Sequence, residues 1–421
     1  MRLTKKSELL MSFFLENNYI RHVEESKTTN KILLELYEEI LKANKYLHTI
    51  KNAKGNDFYN VKVKKITSVS QIPKPKNFNA NSFPDKIRSH IDESINIETS
   101  YVFSLFDRNI KIYFLDEKQG NVKQYNKYVD AMIMWFYILN EYASPSCSKI
   151  FTIYLYFTKL EKTLPSSNVN ILDEHNVNTA FTTTCPRDSE IVIFRKEEWF
   201  KVFIHETFHN FALDFSDMNN NDCKNHILSI FPVKSEVNLY EAYTEFWAEI
   251  MNSLFCSFYV LKNKNDVNEF IKNATFLINF ERTYSFFQLV KTLNFMGLTY
   301  KDLYSKTEKG FIIRENLYKE NSNVLSYYVI KTILINNYQE FLIWCKKNNI
   351  SLLQFKKTPS NQREFCHFIE KNYKKSHMLQ NVSLTELFMK KVKNIDINSA
   401  NHNKNIDYLV TNMRMSICEL G

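Results

Sequence analysis

His205, Glu206 and His209 stand in the run His-Glu-Thr-Phe-His. Two histidines four residues apart lie about 40° apart around an α-helix, so both imidazoles can reach one ion. Glu206, one position past the first histidine, reaches a water beside that ion without taking a metal position. Two imidazoles on the metal and a carboxylate as general base on a metal-activated water make the donor pattern of a zinc hydrolase. With ten histidines in 421 residues, this five-residue pattern arises by chance in roughly one chain in a hundred. The elements that carry it therefore decide its weight.

From Glu197 the chain reads EEWFKVFIHETFHNFALDFSD. Phe200, Ile204, Phe208, Phe211 and Phe215 repeat at helical spacing, which predicts one helix running through Phe215 with the motif on the opposite arc. Glu197 and Glu198 suit its first turn. Residues Ser235–Leu261 predict a second, mostly apolar helix with Glu241, Glu245 and Glu249 in one stripe and no Lys or Arg in the segment. Like charges at this spacing cost a few tenths of a kcal/mol per pair. The stripe therefore calls for positive charge from elsewhere, which a metal on the first helix would supply. Upstream, Val177–Thr184 and Glu190–Arg195 read as two strands around a turn at 185–189. A hairpin there sets an edge strand along the cleft, where an extended peptide can add as a further strand.

Taken together, HETFH and the segment Leu239–Ala248 (LYEAYTEFWA) resemble the gluzincin branch of the zincin metallopeptidases. In that branch a glutamate on a downstream helix is the third zinc ligand. The segment is similar to the aminopeptidase-type and thermolysin-like patterns, which implies Glu241 as third ligand and Glu245 as the partner that orients a ligand histidine. The run Glu245-Phe-Trp-Ala-Glu249 is also similar to the EFFAE stretch of anthrax-lethal-factor-like peptidases, which implies Glu245 as ligand with Glu249 behind it. The spacing leaves both open. The metzincin pattern HExxHxxGxxH fails, because Ala212 and Phe215 occupy its glycine and third-histidine positions. Asp214 points away from the histidines if the helix continues. Over a longer stretch the chain looks like HExxH proteins of large DNA viruses. The resemblance implies a zinc-dependent metallopeptidase acting on a peptide or protein substrate, with Zn²⁺ on His205, His209 and Glu241 and with Glu206 as general base. Tyr240, Tyr243 and His226 are candidate donors to the oxyanion of the transition state. The alternative is a structural or interaction protein, such as a virion component in a larger assembly, that keeps the zincin fold without turnover.

Composition narrows the field. Five glycines, widely spaced, exclude Walker A loops and dinucleotide-binding glycine fingerprints and favour a helix-rich fold. The net charge of +9 is spread, with short basic groups at Lys62–Lys65 and Lys371–Lys375. No nucleic-acid motif accompanies them, so they read as solvated surface. Seven cysteines, odd in number and without a CxxC pair, predict reduced thiols in a cytosol-like compartment. Cys366 and His367 are adjacent, which does not by itself make a dyad. The N-terminal segment lacks a signal-peptide core, and the apolar run Ala131–Leu139 is too short to span a bilayer. A cytoplasmic location without conventional secretion follows, and the resemblance to proteins of large DNA viruses implies virion association as the other option.

The expected class is α+β and helix-rich, a zincin-like core with a small mixed sheet packed on the HExxH helix. Residues 1–84 form a mostly helical N-terminal region ending in a Pro/Asn-rich linker at 71–84. Residues 85–265 form the core, and 266–421 a helical C-terminal region. Within the core, Tyr101–Phe106 and Ile110–Asp116 predict a hairpin turning at 107–109, Val122–Ala143 a helix, and Ile150–Phe157 a strand.

Overall fold

A computed structural model describes residues 1–80, 83–118, 120–398 and 404–421. In chain order its strands are β1 (Asn60–Lys65), β2 (Ile97–Leu105), β3 (Arg108–Asp116), β4 (Ile150–Phe157), β5 (Leu172–Asp173), β6 (Ala180–Thr182), β7 (Asp188–Ile193) and β8 (Glu320–Asn321). Six of them form one mixed sheet in the order β1-β2-β3-β4-β7-β6, and β5 pairs with β8 apart from it. The β3–β4 and β4–β7 pairs are parallel, and the others in the sheet are antiparallel. Helices dominate the remainder. The fold is α+β and helix-rich.

Side chains alternate across the sheet, as the pleat requires. Ile110, Ile112 and Phe114 of β3, Phe151, Ile153 and Leu155 of β4, and Ile191 and Ile193 of β7 join the main apolar cluster. That cluster includes the crossover helix Val122–Asn140 and the HExxH helix Trp199–Asn210. On the other face Leu115, Tyr154, Tyr156, Val192 and Phe194 pack under Ile87 and Ile91 of the helix Asp85–Ser94. Ile72, Phe78 and Phe83 complete that cover. The stretch expected to be a linker is thus a lid on the sheet, and the Tyr156 hydroxyl donates to the Pro73 carbonyl at 2.6 Å. The basic group Lys62–Lys65 lies in β1, a strand within a region expected to be helical. Lysines on an edge strand discourage pairing with another chain. The β2–β3 hairpin turns at Phe106 and Asp107, both at positive φ (50° and 55°), one residue before the expected turn, as the right-handed twist of a two-residue hairpin demands.

The main cluster draws residues from Leu10 to Leu420. Residues Met413–Leu420 are buried and run beneath the start of the HExxH helix. Met415 and Ser416 donate backbone N–H groups to Glu198 at 3.0 and 2.6 Å. Ser416, Ile417 and Cys418 all donate to Glu281. The Leu3–Leu420 bridge and the Thr4–Glu419 hydrogen bond fasten this segment to the N-terminal residues. Glu197 and Glu198, expected in the first turn of the HExxH helix, lie just before its start at Trp199 and are buried. Burial pushes the Glu198 carboxyl up, but Lys162, Lys201 and Arg414 outweigh it and hold it at about 2.

The HExxH helix ends at Asn210, five residues before Phe215. Its end is a Schellman turn: Leu213 N–H donates to Phe208 C=O and Ala212 N–H to His209 C=O, both at 2.9 Å. Ala212 takes the left-handed position at φ 54°, which glycine occupies without a Cβ penalty. Ala212→Gly is expected to stabilise the fold by about 1 kcal/mol, seen as a higher denaturant midpoint at unchanged m-value.

Cys147 and Cys185 are disulfide-bonded, and the other five cysteines are free and buried. The expectation of reduced thiols throughout does not hold for this pair. Their separation of 38 residues hides a contact made by the parallel β4–β7 register, which sets Ile150 beside Asp188. Among the described residues no helix is long and apolar enough to cross a membrane.

Candidate metal centre

The HExxH helix is held from three sides. Thr207, the motif's third residue, accepts a hydrogen bond from the Trp135 indole at 2.7 Å, which ties the helix to the crossover helix. Asn210 at its end accepts from Ser148 at 2.5 Å and donates to Thr182 at 3.0 Å. Its backbone carbonyl accepts from Cys185 N–H. These bonds fix the edge strand β6 alongside the helix. The acidic helix Leu239–Val260 crosses on the other side. Between them lies a cleft of about 190 Å³ bordered by residues 177–182, Lys201, His205, Glu206, His209, Glu241, Glu245 and Tyr327.

Three donor atoms converge there. His205 Nε2 and His209 Nε2 are 3.1 Å apart, and Glu241 Oε2 is 3.2 Å from the first and 3.4 Å from the second. A tetrahedral zinc with bonds of about 2.0–2.1 Å sets its ligand atoms roughly 3.3 Å apart. The triangle therefore fits zinc without rearrangement. Each imidazole is held through its other nitrogen, as metal-ligand histidines are. His205 Nδ1 is 2.9 Å from Glu245 Oε2, and His209 Nδ1 hydrogen-bonds the buried Asp214 carboxylate.

Glu241 thus sits on the two converging Nε2 atoms and Glu245 on the back of His205. Glu249 pairs instead with Lys331 at 2.6 Å. The acidic stripe therefore has buried cationic partners, Lys201 for Glu245 at 2.6 Å and Lys331 for Glu249, and it does not wait for a metal to neutralise all of it. The expected continuation of the helix through Phe215, on which the placement of Asp214 away from the histidines depended, does not occur. Because the helix stops at Asn210, the Schellman turn swings Asp214 back against His209, where Ser216 and Thr244 also hydrogen-bond it. Asp214→Asn is expected to weaken zinc binding about 10–100-fold with the fold intact, read by competition with a chromophoric chelator.

Electrostatics follow the contacts. Burial pulls both histidines toward neutrality, but Glu241 and Glu245 raise His205, and Asp214 and Glu241 raise His209 well above the usual range. Burial raises Glu241 as well, and the two histidines outweigh it to hold its carboxyl far below the usual range. Glu206 goes the other way: burial pushes its carboxyl up, and the nearby histidines only partly offset this. A divalent cation bound by these three donors would displace protons from the imidazoles.

The suggested oxyanion donors are mostly elsewhere. The Tyr243 hydroxyl donates to the Leu353 carbonyl at 2.9 Å in the core. His226 pairs with Glu370 on another helix. The Tyr240 ring packs edge-on to His209, with centroids 5.9 Å apart. The residue that borders the cleft is Tyr327, whose hydroxyl donates to Glu241 Oε2 at 2.7 Å. It lies in a π-turn, Leu325–Ile330, a form that recurs at functional sites. The neighbouring Ser326 donates to the carbonyl of Asn238, which precedes the acidic helix, at 2.8 Å.

Comparison with known proteins adds one relative. An uncharacterised protein of Acanthamoeba polyphaga mimivirus is 28% identical over 189 residues, which cover 43% of this chain and 46% of the viral protein. The match thus spans about half the length of that relative. No family model and no solved structure matches the chain.

Proposed function

We propose that this chain is a zinc-dependent metallopeptidase of the gluzincin kind. The observation that carries the reading is the triangle of His205, His209 and Glu241, with a buried carboxylate behind each histidine and Glu206 on the same cleft. The zincin-like core belongs to the same proposal: a mixed sheet whose edge strand β6 borders the HExxH helix, and a helical half that brings Glu241.

Zinc held by these three residues would polarise a peptide carbonyl and acidify a water. Glu206 would take the proton of the attacking water and return it to the leaving amine, a task that suits a carboxyl raised by burial. Tyr327 donates to the oxyanion as it forms, turning from Glu241. The open edge of β6 pairs with the extended backbone of the substrate. The mimivirus relative supports reading the chain as a viral protein, acting in the cytoplasm of the infected cell or within the virion.

The test is zinc content by elemental analysis beside cleavage of a peptide library. Glu241→Ala is expected to hold one zinc fewer than the wild type, and the wild type to cleave peptides until a chelator is added. An unchanged zinc count in Glu241→Ala overturns the metal site. Zinc held there without cleavage leaves a structural or interaction protein as the better reading. Tyr327→Phe is expected to lower kcat about 10²-fold at unchanged zinc content and KM.

A further inference from the structure

Two features of the sequence have no part in this cleft: His226, and the adjacent pair Cys366 and His367. The fold brings them together. His226 lies on the helix Asn221–Ile230, which links the two ligand-bearing helices, and His367 and Glu370 lie on the helix Pro359–Asn372 packed against it. The two imidazole rings stand 5.5 Å apart, inclined at 58°. Glu370 Oε2 is 3.1 Å from His226 Nε2. One donor atom from each of the three residues lies within 4.8 Å of both others. The same two helices also carry Cys223 and Cys366, both free and buried.

We propose that His226, His367 and Glu370 form a second site for a divalent cation of the zinc class, clamping these two helices together. Two imidazoles and one carboxylate suit zinc and its neighbours copper and nickel, whereas calcium and magnesium take oxygen ligands. The donors come from two packed helices and already lie within 4.8 Å of one another, so reaching the roughly 3.3 Å edge of a tetrahedral site asks for small side-chain rotations. His226 is 28% exposed at its side chain and Glu370 52%, so the site is open to solvent and keeps positions for water.

The clamp acts on a segment that matters to the first site. The loop running from Asp214 to the linking helix is already held to the second helix by Gln362, which donates to Asn219 and Asn220. A cation on His226 and His367 fixes the far end of that segment. It stiffens the connection between the helix that carries His209 and the one that carries Glu241. The two sites share no residue, so this inference stands or falls apart from the peptidase reading.

The experiment is equilibrium dialysis of the full chain against micromolar free zinc, with metal counted by elemental analysis. It compares the wild type, His367→Ala, Glu241→Ala and the double variant. His367→Ala is expected to bind one zinc fewer than its parent in both backgrounds. Zinc is expected to raise the melting temperature of Glu241→Ala, and that rise is expected to vanish in the double variant. Because His367 is exposed, its replacement leaves the core untouched, and His226→Asn serves as an independent second removal. Equal zinc counts with and without His367 overturn the proposal. A zinc lost in Cys366→Ser but kept in His367→Ala also overturns it, because the thiols would then be the ligands.

Discussion

Glu206→Gln is expected to lower kcat about 10²–10⁴-fold, the usual worth of a positioned general base, while zinc content stays at the wild-type value. The amide keeps the shape of the carboxyl but cannot accept the proton of the attacking water. Glu206 is 6% exposed, and burial disfavours its charge. Removing that charge therefore does not weaken the fold. Glu206 lies outside the triangle of donor atoms formed by His205, His209 and Glu241, so metal affinity is expected to change by no more than a few-fold. The loss is expected to fall equally on kcat and kcat/KM, as for an interaction made only in the transition state. Full activity in this variant would place the base elsewhere.

The second large effect lies beneath the site. Lys201→Met is expected to cost about 3–5 kcal/mol of stability, the usual consequence of stranding one member of a buried ion pair. Lys201 Nζ is 2.6 Å from Glu245 and 4.0 Å from Glu198, with all three side chains at most 2% exposed. Methionine fills the space but leaves Glu245 without its lysine, whereas Glu198 keeps Lys162 at 2.6 Å. Adding Glu245→Gln removes one stranded charge and is expected to recover much of the loss, a coupling that a double-mutant cycle measures directly. In the double variant His205 Nδ1 faces an amide, so zinc affinity is expected to remain about 10–100-fold weaker although stability returns. Denaturation midpoints and chelator competition thus separate the two roles of Glu245.

What the sequence disclosed follows from which contacts are local. His205, Glu206 and His209 share one helix, and Glu241 and Glu245 share another, so periodicity groups each set on its own helix, whereas packing decides that Glu241 and not Glu245 meets the two Nε2 atoms. Lys201, four residues before His205 on the same helix, supplies the positive charge that Glu245 needs, so the acidic stripe alone does not demand a metal. Asp214 was hidden by Ala212. With no glycine to mark the left-handed turn, the apolar repeat through Phe215 predicted a helix that stops five residues earlier. Tyr327 has no local signature, since it lies 86 residues beyond Glu241 and arrives through a π-turn. The prolines of 71–84 marked irregular chain correctly, and the missed signal was Ile72, Phe78 and Phe83, apolar residues that a solvated linker has no reason to carry.

The segment Met413–Leu420 also sets a timetable. A ribosome that has translated as far as residue 400 has already made His205, Glu206, His209, Glu241 and Tyr327. Glu198, at the root of the HExxH helix, still lacks Met415 and Ser416, and Glu281 still lacks its donors from Ser416 to Cys418. Joining Thr4 to Glu419 closes a span of 415 residues, the kind of distant contact that folding reaches slowly. A nascent chain therefore carries every side chain of the cleft well before it can hold them in place, and the packing beneath the cleft is complete only after residues 413–420 have left the exit tunnel.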